Sequence, residues 1–155
     1  FFSCFLFSSF ITVITVLFLK ITGKISDVDA SQKEQRLLRL FLDVLYAEFG
    51  FIVLNILSEG DLVRGLMFCY MTNTIVIIVI TKYWKISIHA AGVAGPLTAL
   101  WIHGIHSPFI VIFIVVLLGW ARIILKAHNI AQVLTGFILG SFLTWIQLIT
   151  LFQFD

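Results

Sequence analysis

Six long apolar runs, separated by short polar breaks, organise the chain. The first covers residues 1–19. The most polar stretch follows at 20–36, reading KITGKISDVDASQKEQR. The second apolar run is 37–57, and the turn Ser58-Glu59-Gly60-Asp61 separates it from the third, 62–81. Residues 82–85 break the pattern before the fourth run, 88–105, which is rich in Ala and Gly. Ser107-Pro108 marks the next turn. The fifth run is 109–125, residues 126–129 interrupt, and the sixth is 130–152. A bilayer-spanning helix needs about 20 mostly apolar residues, so six would take roughly 120 and leave little beyond the connections. The expected fold is all-α: an integral membrane six-helix bundle forming a single transmembrane domain over 1–155. The opening Phe1-Phe2-Ser3 already lies inside an apolar run, so an incomplete N-terminus is expected.

Composition strengthens this expectation. Of 155 residues, 61% are hydrophobic and 12% charged, against about 45–50% and about 25% in soluble domains. An ordinary soluble domain is excluded. The net charge of +2 is small, and no nucleic-acid partner is expected. Cys4 and Cys69 form neither a CxxC pair nor a metal spacing, and read as small apolar packing residues.

Placement of charge matters more than its sum. If the runs alternate in direction, one face receives the 20–36, 82–89 and 122–129 connections. That face carries Lys20, Lys24, Lys33, Arg36, Arg39, Lys82, Lys85, Arg122 and Lys126, while the other carries only Arg64. The positive-inside rule would make the basic face cytoplasmic. An anion-binding site there would confound the rule, yet removing Lys85 and Arg122 still leaves seven cations against one.

The same face holds most of the candidate chemistry. Lys85-Ile86-Ser87-Ile88-His89 stands where the fourth helix begins, and a helix N-terminus beside Ser and Lys favours an anion. Arg122 ends the fifth helix, and His128 and Gln132 flank the start of the sixth. If 128–132 is helical, those two share a face. Lys33, Arg36 and Arg39 close the first loop. Two histidines, cations and a helix N-terminus suit phosphoryl transfer: one His attacks phosphorus, the other protonates the leaving oxygen, and cations hold the equatorial oxygens. The competing reading makes the cations snorkelling anchors and the histidines interfacial polar groups.

At these residues the chain resembles the type 2 phosphatidic acid phosphatase superfamily, membrane-embedded phosphatases with a six-helix core and the motifs KxxxxxxRP, PSGH and SRxxxxxHxxxD. Ile86-Ser87-Ile88-His89 matches the second motif in its Ser and His. Ala121-Arg122, then His128, then Gln132 matches the third in spacing. Gly136-x-x-x-Gly140 suits close helix packing. The resemblance covers about 20–145 and looks like a divergent bacterial branch, which implies a bacterial inner membrane. It implies that His128 is the nucleophile and His89 the general acid, and that Arg122 and Ser87 hold phosphate, without a metal or other cofactor. Lys85 lies outside the motif and is added as a nearby cation. Membrane lipids would be the partners, a lipid phosphate the substrate, and other membrane subunits could join.

The departures are specific. No Lys precedes an Arg-Pro at the first motif's distance. Arg36 occupies about the right place, with Leu37 after it and Asp29 where Lys would stand; Lys33 is the second choice. Both Pro and Gly of PSGH are Ile. Gln132 replaces the Asp that orients the nucleophile, and by analogy with triads that loss costs on the order of 10²–10⁴ in rate. Asp43 could substitute, or could pair with Arg39. Three functions therefore stay open: an altered lipid phosphatase, a phosphatase-fold subunit or scaffold without activity, and a magnesium-dependent prenyl-lipid transferase suggested by the acidic loop.

Other polar residues have simpler expectations. Glu48, inside the second run, is either a functional acid or a neutral hydrogen-bonded one facing the bundle. Asn55 and Asn73 read as glue between helices. His103 and His106 are three apart, a spacing that permits metal ligation but more readily serves an interface. Tyr83, Trp84, Trp101 and Trp120 read as belt or packing aromatics. Asp27-x-Asp29 reads as a solvated or capping loop pair.

Overall fold

The computed structural model describes residues 10–21, 23 and 33–152. Cys4, Lys24, Asp27, Asp29 and the side chain of Lys33 lie outside the described residues. The fold is all-α, and the described residues contain no strand. Its helices are α1 (Ile11–Ile21), α2 (Lys33–Ile56), α3 (Asp61–Thr81), α4 (Ile88–Ile102), α5 (Pro108–Ile124) and α6 (Ile130–Leu151).

Helix boundaries depart from the apolar runs where backbone chemistry intervenes. α2 starts four residues before its run, because Lys33-Glu34-Gln35-Arg36 are good helix formers. α4 ends at Ile102 rather than 105. Gly104 adopts φ 90°, and the Ile105 and Gly104 amides donate to the Leu100 and Trp101 carbonyls, the paired bonds of a Schellman stop. α2 and α5 end the same way without glycine. Ser58 (φ 53°) and Lys126 (φ 51°) occupy the left-handed position, where a non-glycine residue costs about 1–2 kcal/mol.

Among the described residues, two helices, α3 and α6, are long and apolar enough by length and composition to cross a membrane. α4 and α5 are apolar but only 15 and 17 residues long. α2 has 24 residues, but Lys33, Glu34, Arg36, Arg39 and Asp43 crowd its first half.

Contacts divide the chain into two compact units, Phe1–Tyr83 and Trp84–Asp155. The first is built on the α2–α3 hairpin. Arg36, Leu40, Asp43, Ala47, Gly50 and Leu54 form one buried stripe along α2. Ala47 and Leu54 pack with Val63 and Met67 of α3. α1 joins α2 through Val16 against Leu42 and through the Thr15 hydroxyl donating to the Tyr46 hydroxyl at 3.0 Å.

The second unit is built on α4 against α6. Their contacts climb both helices in the same direction, from Ser87 and Ala90 at Gly136, through Ala91 at Gly140, to Gly95 at Thr144. The two helices are therefore parallel, and α5, which follows α4 in sequence, returns beside them. Contact is by backbone: a Cβ on Gly136 would stand 2.5 Å from the Ser87 carbonyl oxygen, and one on Gly140 2.6 Å from that of Ala91. The Gly-x-x-x-Gly pattern is the means by which the two N-termini come side by side.

Candidate functional site

The candidate residues of the second unit gather where α4 and α6 begin. Ser87 is the N-cap of α4, with its hydroxyl oxygen accepting from the Ala90 amide. It is fully buried, so its first role is to start the helix. Its backbone amide donates to the Gln132 carbonyl at 3.2 Å. That bond joins the segment carrying Ser87 and His89 to the one carrying His128 and Gln132. His89 is half-buried in the first turn of α4, and Lys85 is half-buried two residues before the cap.

Arg122 stands in the last turn of α5. Its carbonyl accepts from the Ala127 and His128 amides at 3.1 and 3.3 Å. Together with Lys126 in the left-handed position, this closure draws His128 back toward the end of α5, and it sets the Arg122-to-His128 spacing.

His128 and Gln132 meet, but not as two residues on one helical face. Helix α6 begins only at Ile130, with Asn129 extended (φ −90°, ψ 169°) as its N-cap. The Asn129 side chain accepts from the Gln132 amide at 2.9 Å, and Gln132 Oε1 accepts from the Asn129 amide at 3.2 Å. This reciprocal pair is a capping box. The same Oε1 lies 3.2 Å from His128 Nδ1.

The box decides the direction of the histidine contact. A backbone amide can only donate, so the Asn129 bond identifies the Gln132 atom as the amide oxygen. That oxygen cannot donate to the imidazole, so Nδ1 is the donor in this contact. Asn129 is the residue that sequence reasoning passed over. Its signature, Asn followed three residues later by Gln before an apolar run, was present.

The electrostatics of this end are one-sided. From residue 84 to 154 the sequence has three cations, Lys85, Arg122 and Lys126, and no Asp or Glu. Two parallel helix N-termini add their positive dipole ends. No carboxylate within this unit, apart from the terminal Asp155, could replace the one that Gln132 lacks.

Arg36 belongs to the first unit, in the first turn of α2. It is 6% exposed, and its Nε and Nη1 have no hydrogen-bond partner among the described residues. Burial lowers its pKa from the ordinary guanidinium value. Asp43, Asn73, Thr74 and Thr81 are buried polar residues of the same unit. Arg39 is half-buried on α2. Glu48 does not face the hairpin core: the buried stripe passes through Ala47 and Gly50, which turns Glu48 outward to an exposed position. Asn55 does link helices, its side-chain oxygen accepting from Arg64 at 3.3 Å. Arg64 also pairs with Asp61. Cys69 is a buried free thiol.

At the opposite end of the second unit, His103 caps α4, and the His106 ring packs on Trp101 with centroids 4.9 Å apart. A groove of about 600 Å³ lies between α4, α5 and α6, with Ala94, Trp101, Val115, Phe137 and Trp145 among its walls. None of Lys85, Ser87, His89, Arg122, His128 and Gln132 lines it.

No protein-family model matches the chain, and no curated protein or solved structure is similar to it.

Proposed function

We propose that this chain is a six-span membrane protein that hydrolyses a lipid phosphomonoester or diphosphate through a phosphohistidine on His128. The membrane half of the proposal rests on surface chemistry. α5 exposes Phe109, Ile112, Phe113, Val116 and Trp120 and buries only Gly119. A helix apolar around its circumference needs lipid or protein about it. The short α4 and α5 would span with local thinning of the bilayer or with their flanking residues at the interface. A bacterial inner membrane is the expected location.

The observation that carries the catalytic half is the Ser87–Gln132 hydrogen bond. It joins the two segments that resemble the family's second and third motifs, which must meet to make one phosphate site. The chemistry then follows from protonation states. Neutral His128, with Nδ1–H donated to Gln132, attacks phosphorus through Nε2. The phosphorus–oxygen bond to the lipid breaks, and His89 gives its proton to the departing oxygen. Water attacks the phosphohistidine, His89 takes a proton from it, and inorganic phosphate leaves. Arg122, Lys85 and the amides near Ile88 stabilise charge on the equatorial oxygens.

A second reading, a phosphatase-fold subunit without activity, has its own support. Gln132 brings a dipole and no charge to the imidazolium, and the Ser87 hydroxyl oxygen is occupied as a cap. Phosphate release separates the two. The full chain in nanodiscs containing phosphatidic acid is expected to liberate inorganic phosphate, and His128→Ala to lose at least about 10³ of that rate. Equal release by both proteins would end the phosphohistidine mechanism. No release from phosphatidic acid or from a prenyl diphosphate would leave the inactive subunit.

A further inference from the structure

The groove between α4, α5 and α6 has no part in the chemistry above. It is large enough for a small-molecule ligand, in the range of about 300–1,000 Å³ typical of such sites. Its walls are apolar apart from the hydroxyls of Thr98 and Ser141, and the Thr98 hydroxyl is already given to the Ala94 carbonyl at 2.9 Å. Ile138, Phe142 and Trp145 are exposed along one flank, so the groove opens to the surroundings of α6.

Its position relates it to the polar end. α4 and α6 are parallel, and the same two helices carry the cap-and-histidine segments at their starts and the groove farther along. From Ser87 to Ala94 is about 10 Å along α4, and from Ala94 to Trp101 about 10 Å more, at 1.5 Å per residue. The polar end concentrates Lys85, Arg122, Lys126 and two helix N-termini, and the stretch from residue 84 to 154 contains no Asp or Glu. Charge of one sign gathered there is relieved by an anion. An anionic head at the start of α4 and α6 and an apolar groove farther along the same helices describe one amphipathic molecule.

We infer that the groove seats a hydrocarbon chain of the lipid whose phosphate occupies the α4–α6 N-terminal end. The inference rests on the phosphatase reading for the headgroup and adds where the chain lies. α5 forms the third wall. It meets α6 closely at Gly119, where an added Cβ would stand 3.5 Å from Val133, and it contributes Val111 and Val115 to the groove nearer its own start.

Two of the four tryptophans, Trp101 and Trp145, line the groove and report its occupancy. The full chain carrying Trp84→Phe and Trp120→Phe is placed in phosphatidylcholine nanodiscs. Phosphatidic acid or phosphatidylcholine with brominated chains is then added at equal mole fraction. Brominated phosphatidic acid is expected to quench the remaining fluorescence more strongly, with an excess that saturates. Ser141→Phe and Val115→Phe, on different helices, should each abolish the excess, and Ser141→Ala should keep it. Lys85→Gln with Lys126→Gln should reduce it while leaving quenching by phosphatidylcholine unchanged. Equal quenching by the two lipids overturns the inference, since the groove then holds bulk lipid without reference to the headgroup. Phosphate release measured on the same samples keeps the two proposals apart. Release with equal quenching removes the chain site alone. Selective quenching without release removes hydrolysis and keeps the chain site.

Discussion

The two units solve helix packing in opposite ways. In the α2–α3 hairpin, side chains fill the interface: Leu54, Val63 and Met67 pack beside Ala47, with Phe51, Tyr70 and Met71 around them. Polar groups are buried along the same interface, from Asp43 and Asn73 to Arg36 and Thr81. Between α4 and α6 almost nothing intervenes. Gly136 and Gly140 let the backbones touch, and Ala90, Ala91 and Ala94 complete the seam. A side-chain interface can repack. A backbone interface cannot, and it holds its two termini to a tighter geometry. The candidate site stands at the end of the rigid seam, which is where a nucleophile and a phosphate cradle need accurate placement.

The largest contrast should come from substitutions at the two interfaces. Gly140→Val puts its Cβ into the Ala91 carbonyl and Cα, atoms of a helix backbone that cannot rotate away. It should destabilise by about 3 kcal/mol or more, and Gly136→Val similarly, read as unfolding in detergent. In the hairpin, Met67→Leu conserves volume and should cost under about 1.5 kcal/mol. Equal tolerance at both interfaces would refute the distinction.

Next in size is the capping box. Gln132→Glu keeps the box and adds the missing charge, so release should rise roughly tenfold or more, given how much a triad carboxylate contributes. Gln132→Leu should abolish it. Asn129→Ala should cost about 1 kcal/mol of stability and also slow release, because the Gln132 amide is then free to turn. A rate unmoved by all three would remove Gln132 and the capping box from the mechanism.

Arg36 tests the buried polar side of the hairpin. Replacing a buried cation whose Nε and Nη1 have no partner among the described residues by an apolar residue removes a desolvation cost. Arg36→Leu should therefore leave stability unchanged or raise it by about 1 kcal/mol. Destabilisation would mean that Arg36 is structural.

Much of this arrangement was legible in the chain. The apolar runs marked helices to within a few residues, because hydrophobic length is a strong signal, and Gly136-x-x-x-Gly140 announced the close seam. The finer geometry was hidden for identifiable reasons. The stop at Lys126 has no glycine to advertise it, since tertiary closure onto the Arg122 carbonyl overrides local preference. The reach of Gln132 to His128 was expected from helical periodicity, but it comes from a cap that bends the chain just before the helix. The Ser87–Gln132 bond depends on interhelical register, which no local pattern encodes. The fate of Glu48 likewise depended on which stripe of α2 was covered.

The smallest expected effect lies at that hidden stop. Lys126→Gly relieves a left-handed lysine and should stabilise the second unit by about 0.5–1 kcal/mol. Ser58→Gly should do the same for the hairpin. The Lys126 change should leave His128 in place, so release should fall only by what the lost cation contributes.

The most direct test of the central claim is to trap the phosphoenzyme. The full chain in nanodiscs is mixed with phosphatidic acid carrying a radiolabelled phosphate and quenched in base within the first turnover. The account predicts an acid-labile, base-stable label on His128 that is absent from His128→Ala and that both forms and decays more slowly in His89→Ala, which lacks the acid of the first step and the base of the second. A label on another residue, or substrate turnover with no label on His128, would contradict it.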